Sequence, residues 1–227
     1  MGDPESSEPA ATKLRLLVVD DHEVIAESLT FVLDAEGIDA SCLVPSDLSD
    51  VTNRTADDLP DIVLLDLDLG SGIGSAIPII EPLSDAGSTV VMLTGMQDRL
   101  QLARCLEAGA VGIVDKAAPM NDVLTAVEQA AASQPVIDEN KRHQLLGELR
   151  ARREEERARQ ARFAALTPKE EAVLIALCDG KSPSAYAEEA FVSVFTVRGH
   201  IRSILSKLGV GSQLAAVALA RSSGWLL

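Results

Sequence analysis

Residues 14–133 switch repeatedly between two hydrophobic rhythms. Short apolar runs rich in β-branched residues occur at Leu14–Asp20, Asp39–Val44, Asp61–Asp66, Thr89–Thr94 and Val111–Asp115, and each predicts a strand. Between them apolar residues recur with helical period, as at Ile25, Leu29, Val32 and Leu33. A last helix follows Pro119, with Val123, Leu124 and Val127 on one face. The first, third and fourth runs are almost continuously apolar, which is the pattern of parallel strands covered on both faces. Strand and helix alternating in this way predict a doubly wound α/β domain around a five-stranded parallel sheet. Such sheets carry their sites at the carboxyl ends of the strands.

The rhythm changes after residue 133. Residues 138–166 have no Gly or Pro between Glu148 and Leu166, and opposite charges recur at helical spacing in Arg150/Glu154, Arg152/Glu156 and Glu155/Arg159. A continuous helix from Asn140 to Phe163 would be about 36 Å long. Its seam of Leu145, Leu149, Phe163 and Leu166 is interrupted by Arg152, Glu156 and Arg159, so a solvated spacer and a dimerising coiled coil both fit. Beyond it lie four short helices. Thr167-Pro168-Lys169-Glu170 combines a cap, Pro at the first helical position and Glu three residues after the cap. Ser182-Pro183, Ser193 and Ser212 start the next three, and Gly180 and Gly209 mark stops. A tight link between the second and third predicts a helix-turn-helix. The third helix buries Val197, Ile201, Ile204, Leu205 and Leu208, and it leaves Arg198 and Arg202 on the opposite face, where a major-groove helix meets base edges or phosphates.

Charge separates the same segments. The chain carries 20 Lys and Arg against 35 Asp and Glu, a net −15, distributed as −2 over 1–13, −16 over 14–133, +2 over 134–164 and +1 over 165–227. The acidic part repels nucleic acid, so a polyanion belongs with the last module. The expected organisation is a disordered acidic tail at 1–13, an α/β domain at 14–133, a charged helical linker at 134–164 and an all-α domain at 165–227. No apolar run approaches the ~18 residues of a membrane span, and the acidic N-terminus is unlike a secretory signal. Gly2 and Ser6 fit the loose myristoylation pattern, which a disordered tail explains equally. Cys42, Cys105 and Cys178 lack metal-ligand spacing and suit three buried thiols in a reducing cytoplasm.

Chemistry gathers at the strand ends: Asp20-Asp21 after the first, Asp66 after the third, Thr94 at the fourth and Asp115-Lys116 at the fifth. Converging carboxylates raise one another's pKa unless a cation neutralises them, and hard oxygen ligands suit Mg²⁺. The pattern Val18-Val19-Asp20-Asp21-His22, Leu64-Leu65-Asp66, Leu93-Thr94-Gly95 and Lys116 resembles the flavodoxin-like receiver domain of bacterial two-component response regulators. The resemblance implies that Asp66 accepts a phosphoryl group from a sensor histidine kinase. It further implies that Asp21 and Asp66 bind Mg²⁺ directly, with Asp20 acting largely through water and the Asp68 backbone carbonyl completing the shell. Thr94 and Lys116 would contact the phosphoryl oxygens. Two features depart from that family. The loop after Asp66 is Leu69-Gly70-Ser71-Gly72-Ile73-Gly74 rather than a Met-Pro-Gly-like turn, and its glycines predict a permissive segment. Ile113 stands where an aromatic residue usually reports phosphorylation. The same glycines resemble the first motif of S-adenosylmethionine-dependent methyltransferases, and Asp66-x-Asp68 resembles haloacid-dehalogenase-type phosphatases, but both motifs belong on a first strand.

Residues 166–227 closely resemble the LuxR-type (NarL/FixJ) helix-turn-helix domain. The carrying residues are Leu166-Thr167-Pro168-Lys169-Glu170, Gly180, Ser193, Thr196-Val197-Arg198-Gly199-His200-Ile201 and Lys207-Leu208-Gly209-Val210. The likeness places Arg198, Gly199 and Arg202 at base-reading positions, Thr196, His200 and Lys207 near phosphates, and the last helix at a pairing surface. The two resemblances together imply a cytoplasmic bacterial response regulator, not an enzyme in its own right. Phosphorylation of Asp66 would control homodimerisation and binding to double-stranded DNA, with no membrane involved. The alternative is a phosphorylation-independent dimeric transcription factor that uses its receiver as a scaffold.

Overall fold

The computed structural model describes residues 13–225; the tail expected at 1–13, with Gly2 and Ser6, falls almost wholly outside them. The described residues divide after Leu149 into two compact units. The first contains β1 (Arg15–Val19), α1 (Glu23–Ala35), β2 (Asp39–Leu43), α2 (Leu48–Asp57), β3 (Ile62–Leu65), α3 (Ile77–Ala86), β4 (Thr89–Thr94), α4 (Arg99–Glu107), β5 (Gly112–Asp115) and α5 (Met120–Ala131). The strands pair in parallel in the order β2-β1-β3-β4-β5. The order reverses between β1 and β3, and that crevice is where a doubly wound sheet holds its ligand.

Alternation within each central strand builds two cores. Leu17, Val19, Val63, Leu65, Val90 and Met92 face one side, where Val51 of α2, Ile79, Ile80 and Leu83 of α3 and Cys105 of α4 cover them. Leu16, Val18, Ile62, Leu64, Val91 and Leu93 face the other, against Ala26, Leu29 and Leu33 of α1 and Val123, Ala126 and Val127 of α5. Strands buried on both sides leave only their ends for chemistry. Of the three thiols expected to be buried, Cys105 and Cys178 are, but Cys42 is exposed because β2 is an edge strand.

Helix α6 (Glu139–Ala164) runs through the division between the units. Its first half belongs to the first unit: Leu145 and Leu149 are buried with Ala103 and Leu106 of α4 and with Ile137. The Arg142 guanidinium donates to the Ala110 and Leu106 carbonyls, satisfying backbone acceptors left open where α4 ends. Arg99 forms a two-pronged ion pair with Glu148, at 2.8 and 2.9 Å. Exposed pairs contribute little, so the leucines hold the helix. The seam expected from the sequence is therefore not an open one, because Phe163 and Leu166 are buried in the other unit. Truncation by Leu145→Ala should destabilise the first unit by about 2–5 kcal/mol. Urea unfolding together with protease cutting within residues 139–149 would register it, and an unchanged midpoint would mean that the leucine carries no packing.

The second unit adds α7 (Pro168–Cys178), α8 (Pro183–Glu189), α9 (Val194–Leu208) and α10 (Gln213–Ser222). Val173, Leu174, Val197, Ile201, Ile204, Leu208, Ala216 and Ala220 make its core, and Trp225 stacks on Phe163 at 5.2 Å. Thr167 and Glu170 form the expected capping box on α7. Glu170 does more than cap. It is 4% exposed, and it accepts from the Ser203 hydroxyl and, at 2.6 Å, from the Lys207 ammonium, so it ties the start of α7 to α9. Burial opposes its charge, but Lys207, Ser203 and Thr167 outweigh that and hold the carboxyl at about 2. A folded pKa below the unfolded one adds stability that is complete above the ordinary Glu range and fades as pH falls toward 2. Glu170→Gln should thus cost about 1–2 kcal/mol near neutrality. The Tm gap between variant and wild type should close as pH drops below 4.5, the ordinary glutamate value. A gap independent of pH would assign the cost to shape instead of charge.

Candidate phosphoacceptor site and nucleic-acid interface

The strand ends of the first unit place Asp20 after β1, Asp66 after β3, Thr94 at the end of β4 and Lys116 after β5. Asp20 is fully buried and Asp66 nearly so. The Lys116 ammonium lies 2.6 Å from Asp20 Oδ2 and donates to Asp66 Oδ2 at 2.7 Å. Burial raises the Asp66 pKa, the Lys116 ammonium partly offsets that, and the Asp20 charge adds to the rise. Burial works against the Lys116 charge too, yet the two carboxylates prevail and its pKa rises.

Asp20, Asp21, His22 and Asp66 can each direct one atom into a volume in which those atoms lie within 4.8 Å of one another. Three carboxylates beside one ammonium leave two negative charges uncompensated. Asp20 Oδ2 is buried without an aligned hydrogen-bond donor. A crowded set of hard oxygen donors with that residual charge fits a hard divalent cation. His22 belongs to the pattern that carries the receiver resemblance but is given no role by it, and its place directly after Asp20-Asp21 brings it into this group. Its Nδ1 is 2.7 Å from Asp21 Oδ1 and its backbone N–H donates to Asp20 Oδ1. The Asp21 hydrogen bond is the main reason its pKa is raised.

The glycine loop is less permissive than its composition suggests. Leu69 N–H donates to the Gly74 carbonyl, Gly74 N–H to Gly70, and Ala76 N–H to Leu67, while Asp68 bridges Ser75 in antiparallel fashion. These bonds close a defined turn where proline would otherwise stiffen it. Gly70 has φ +85°, and a Cβ there would stand 2.9 Å from Asp21 Oδ2. Only glycine fits that backbone beside that carboxylate. The Asp68 side chain is exposed and accepts from Gly70 N–H. Thr94, at the end of β4, is nearly buried, and its hydroxyl accepts from Met96 N–H at 3.1 Å. Ile113 is half-buried and packs against both the α3–α4 core and the α6 leucines.

In the second unit, Ser193 caps α9 through Thr196 N–H, and its hydroxyl lies 2.8 Å from that of Thr196. Arg198, Gly199 and Arg202 are exposed and His200 is half-buried. The two arginines make no ion pair among the described residues. Lys207 lies a turn beyond Ser203 on the side of α9 that faces α7, with its ammonium held by Glu170. Phe195, at the second position of α9, is 79% exposed. The apolar pattern of α9 assigns this ring no role in the core.

Comparison with known proteins agrees with both units. Residues 16–128 match the response regulator receiver domain, and residues 164–220 match the bacterial regulatory proteins of the luxR family. The transcriptional regulatory protein LiaR of Bacillus subtilis is 28% identical over 209 residues, which cover 91% of this chain and 96% of that protein. The probable transcriptional regulatory protein NarL of Mycobacterium tuberculosis is 27% identical over 213 residues, 93% of this chain and 95% of its own. A solved structure of the RcsB response regulator from Salmonella typhimurium shares the fold with a TM-score of 0.52 at 19% identity. That match covers 93% of this chain and all of RcsB. The receiver at the front, the LuxR-type module behind it and the full-length likeness to two transcriptional regulators lead to one assignment: this chain belongs to the NarL/FixJ-type response regulators of two-component systems.

Proposed function

We propose that the chain is a phosphorylation-switched, DNA-binding transcription regulator whose phosphoacceptor is Asp66. The observation that carries this reading is the Lys116 ammonium shared between Asp20 and Asp66 at 2.6 and 2.7 Å, beside uncompensated carboxylate charge. A domain used only as a scaffold has no physical need for buried like charges. An Asp66 carboxylate oxygen attacks phosphorus of a phosphohistidine or a small phosphodonor. The new O–P bond makes an acyl phosphate, the donor's P–N or P–O bond breaks, and its electron pair leaves with the donor. Lys116 orients the nucleophile beforehand and faces the incoming oxygens afterwards. Asp20, Asp21, Asp66 and the Asp68 carbonyl would hold Mg²⁺, which when bound neutralises charge on the transferring group.

Phosphorylation then shifts the receiver between two surface states, one of which favours the dimer. Arg198, Gly199 and Arg202 read bases while Thr196 and His200 meet phosphates. The net +1 of residues 165–227 gives one copy weak affinity, so two half-sites are needed. Leu214, 79% exposed on α10, is an apolar contact available to a second copy. The partners are a sensor histidine kinase, double-stranded DNA and a second copy of the chain. Among the described residues no single helix is long and apolar enough to cross a membrane, and we place the protein in the bacterial cytoplasm. Light scattering and duplex-DNA binding with and without Mg²⁺ and a phosphodonor test the switch. A shift from monomer to dimer with tighter binding is expected, whereas a stable dimer indifferent to the donor would favour the scaffold reading.

A further inference from the structure

Helix α9 exposes a stripe at the spacing i, i+3, i+4, i+7, and the stripe begins one turn earlier than its arginines. Phe195, Arg198, Gly199 and Arg202 lie along it, opposite the buried Val197, Ile201, Ile204 and Leu208. A phenylalanine 79% exposed, between Val194 and Thr196, gains little from the fold. Gly199 is equally unexplained from inside. It sits mid-helix, where glycine is unfavourable, and a Cβ there would meet no atom within 4 Å. Nothing in the protein asks for a missing side chain, so the demand comes from whatever approaches this face. The two arginines on the same stripe, without an ion pair among the described residues, point to a polyanion as the approaching surface. The apolar feature a duplex offers inside its major groove is the thymine C5-methyl group.

We propose that Phe195 is a specificity-determining residue, its ring and the bare flank of Gly199 one turn on together seating a thymine methyl while Arg198 and Arg202 take hydrogen-bonding edges beside it. The inference rests on the DNA-binding reading above and adds a base identity to it. Phe191, 96% exposed in the turn before α9 but off the stripe, is the matched control. The test selects duplexes from a random library with the full-length, phosphodonor-treated protein and then replaces each selected thymine singly by deoxyuridine, which lacks only the methyl. One position is expected at which wild type and Phe191→Ser lose about fourfold in affinity, the worth of one buried methyl. Phe195→Ser should bind the two duplexes equally well there, with an unchanged Tm because the ring is exposed. Arg198→Ala should keep the thymine-to-uridine ratio while binding both more weakly. A selected duplex with no methyl-sensitive position, or a ratio that survives in Phe195→Ser or vanishes in Phe191→Ser, overturns the proposal and leaves DNA binding standing. A selection that enriches no duplex overturns both.

Discussion

Asp66→Asn should take up no phosphoryl group under conditions in which wild type takes up one, as read by intact mass after Mg²⁺ and a small phosphodonor. The asparagine preserves the shape of the side chain and loses the nucleophilic oxygen, so the loss should be complete. Asp20 cannot substitute for it, being fully buried with its Oδ2 already against Lys116. Unfolding is not a competing explanation. The Asp20–Lys116 pair survives the change, and Asp66 is a buried carboxylate whose pKa is raised by burial and by its acidic neighbour. Removing that charge relieves repulsion, so the Tm of Asp66→Asn should equal or exceed that of wild type. Chelating divalent cations should silence wild type in the same assay. An adduct that persists in Asp66→Asn would move the phosphoacceptor elsewhere and remove the switch.

Most of this site lies open in the sequence because its scaffold is a hydrophobic rhythm with few alternatives. Strands buried on both faces must read as apolar runs, and the polar residue that ends each run is then delivered to the same edge of the sheet. Asp20, Asp66, Thr94 and Lys116 could be placed on that ground before any distance was known. What stayed hidden depends on three-dimensional partners. The docking of Leu145 and Leu149 against α4 cannot be told by periodicity from a seam between two chains, since both present the same faces. The glycine loop looks permissive by composition and is closed by backbone bonds that leave no mark in residue type. Lys207, expected beside phosphates, is held by Glu170 in a pair that spans 37 positions, and no local pattern reports such a pairing. Gly70 has its reason in the Asp21 carboxylate, far from it in sequence.

Arg198→Ala should weaken binding to a selected duplex by about five- to a hundredfold, the range for loss of one bidentate contact to a base pair. Binding to an unrelated duplex should change far less. The contrast follows from placement. Arg198 is exposed on α9 opposite the buried stripe and makes no ion pair among the described residues, which leaves both prongs of its guanidinium available to a base edge. Lys207 provides the internal comparison. Its ammonium is held by Glu170, and Lys207→Met should cost stability of the second unit more than it costs affinity at temperatures where the unit stays folded. The dependence of binding on salt separates the possible roles of Arg198. A base-reading arginine leaves the salt slope nearly unchanged and relaxes the preference at one base pair, whereas a phosphate-binding one weakens all duplexes alike and lowers the slope by about one. The effect should be the same with and without the phosphodonor, because in the proposed mechanism Asp66 would set how often two copies meet and Arg198 what each copy reads. If the loss appeared only in the phosphorylated protein, the recognition face would not be preformed on α9, and phosphorylation would have to build it.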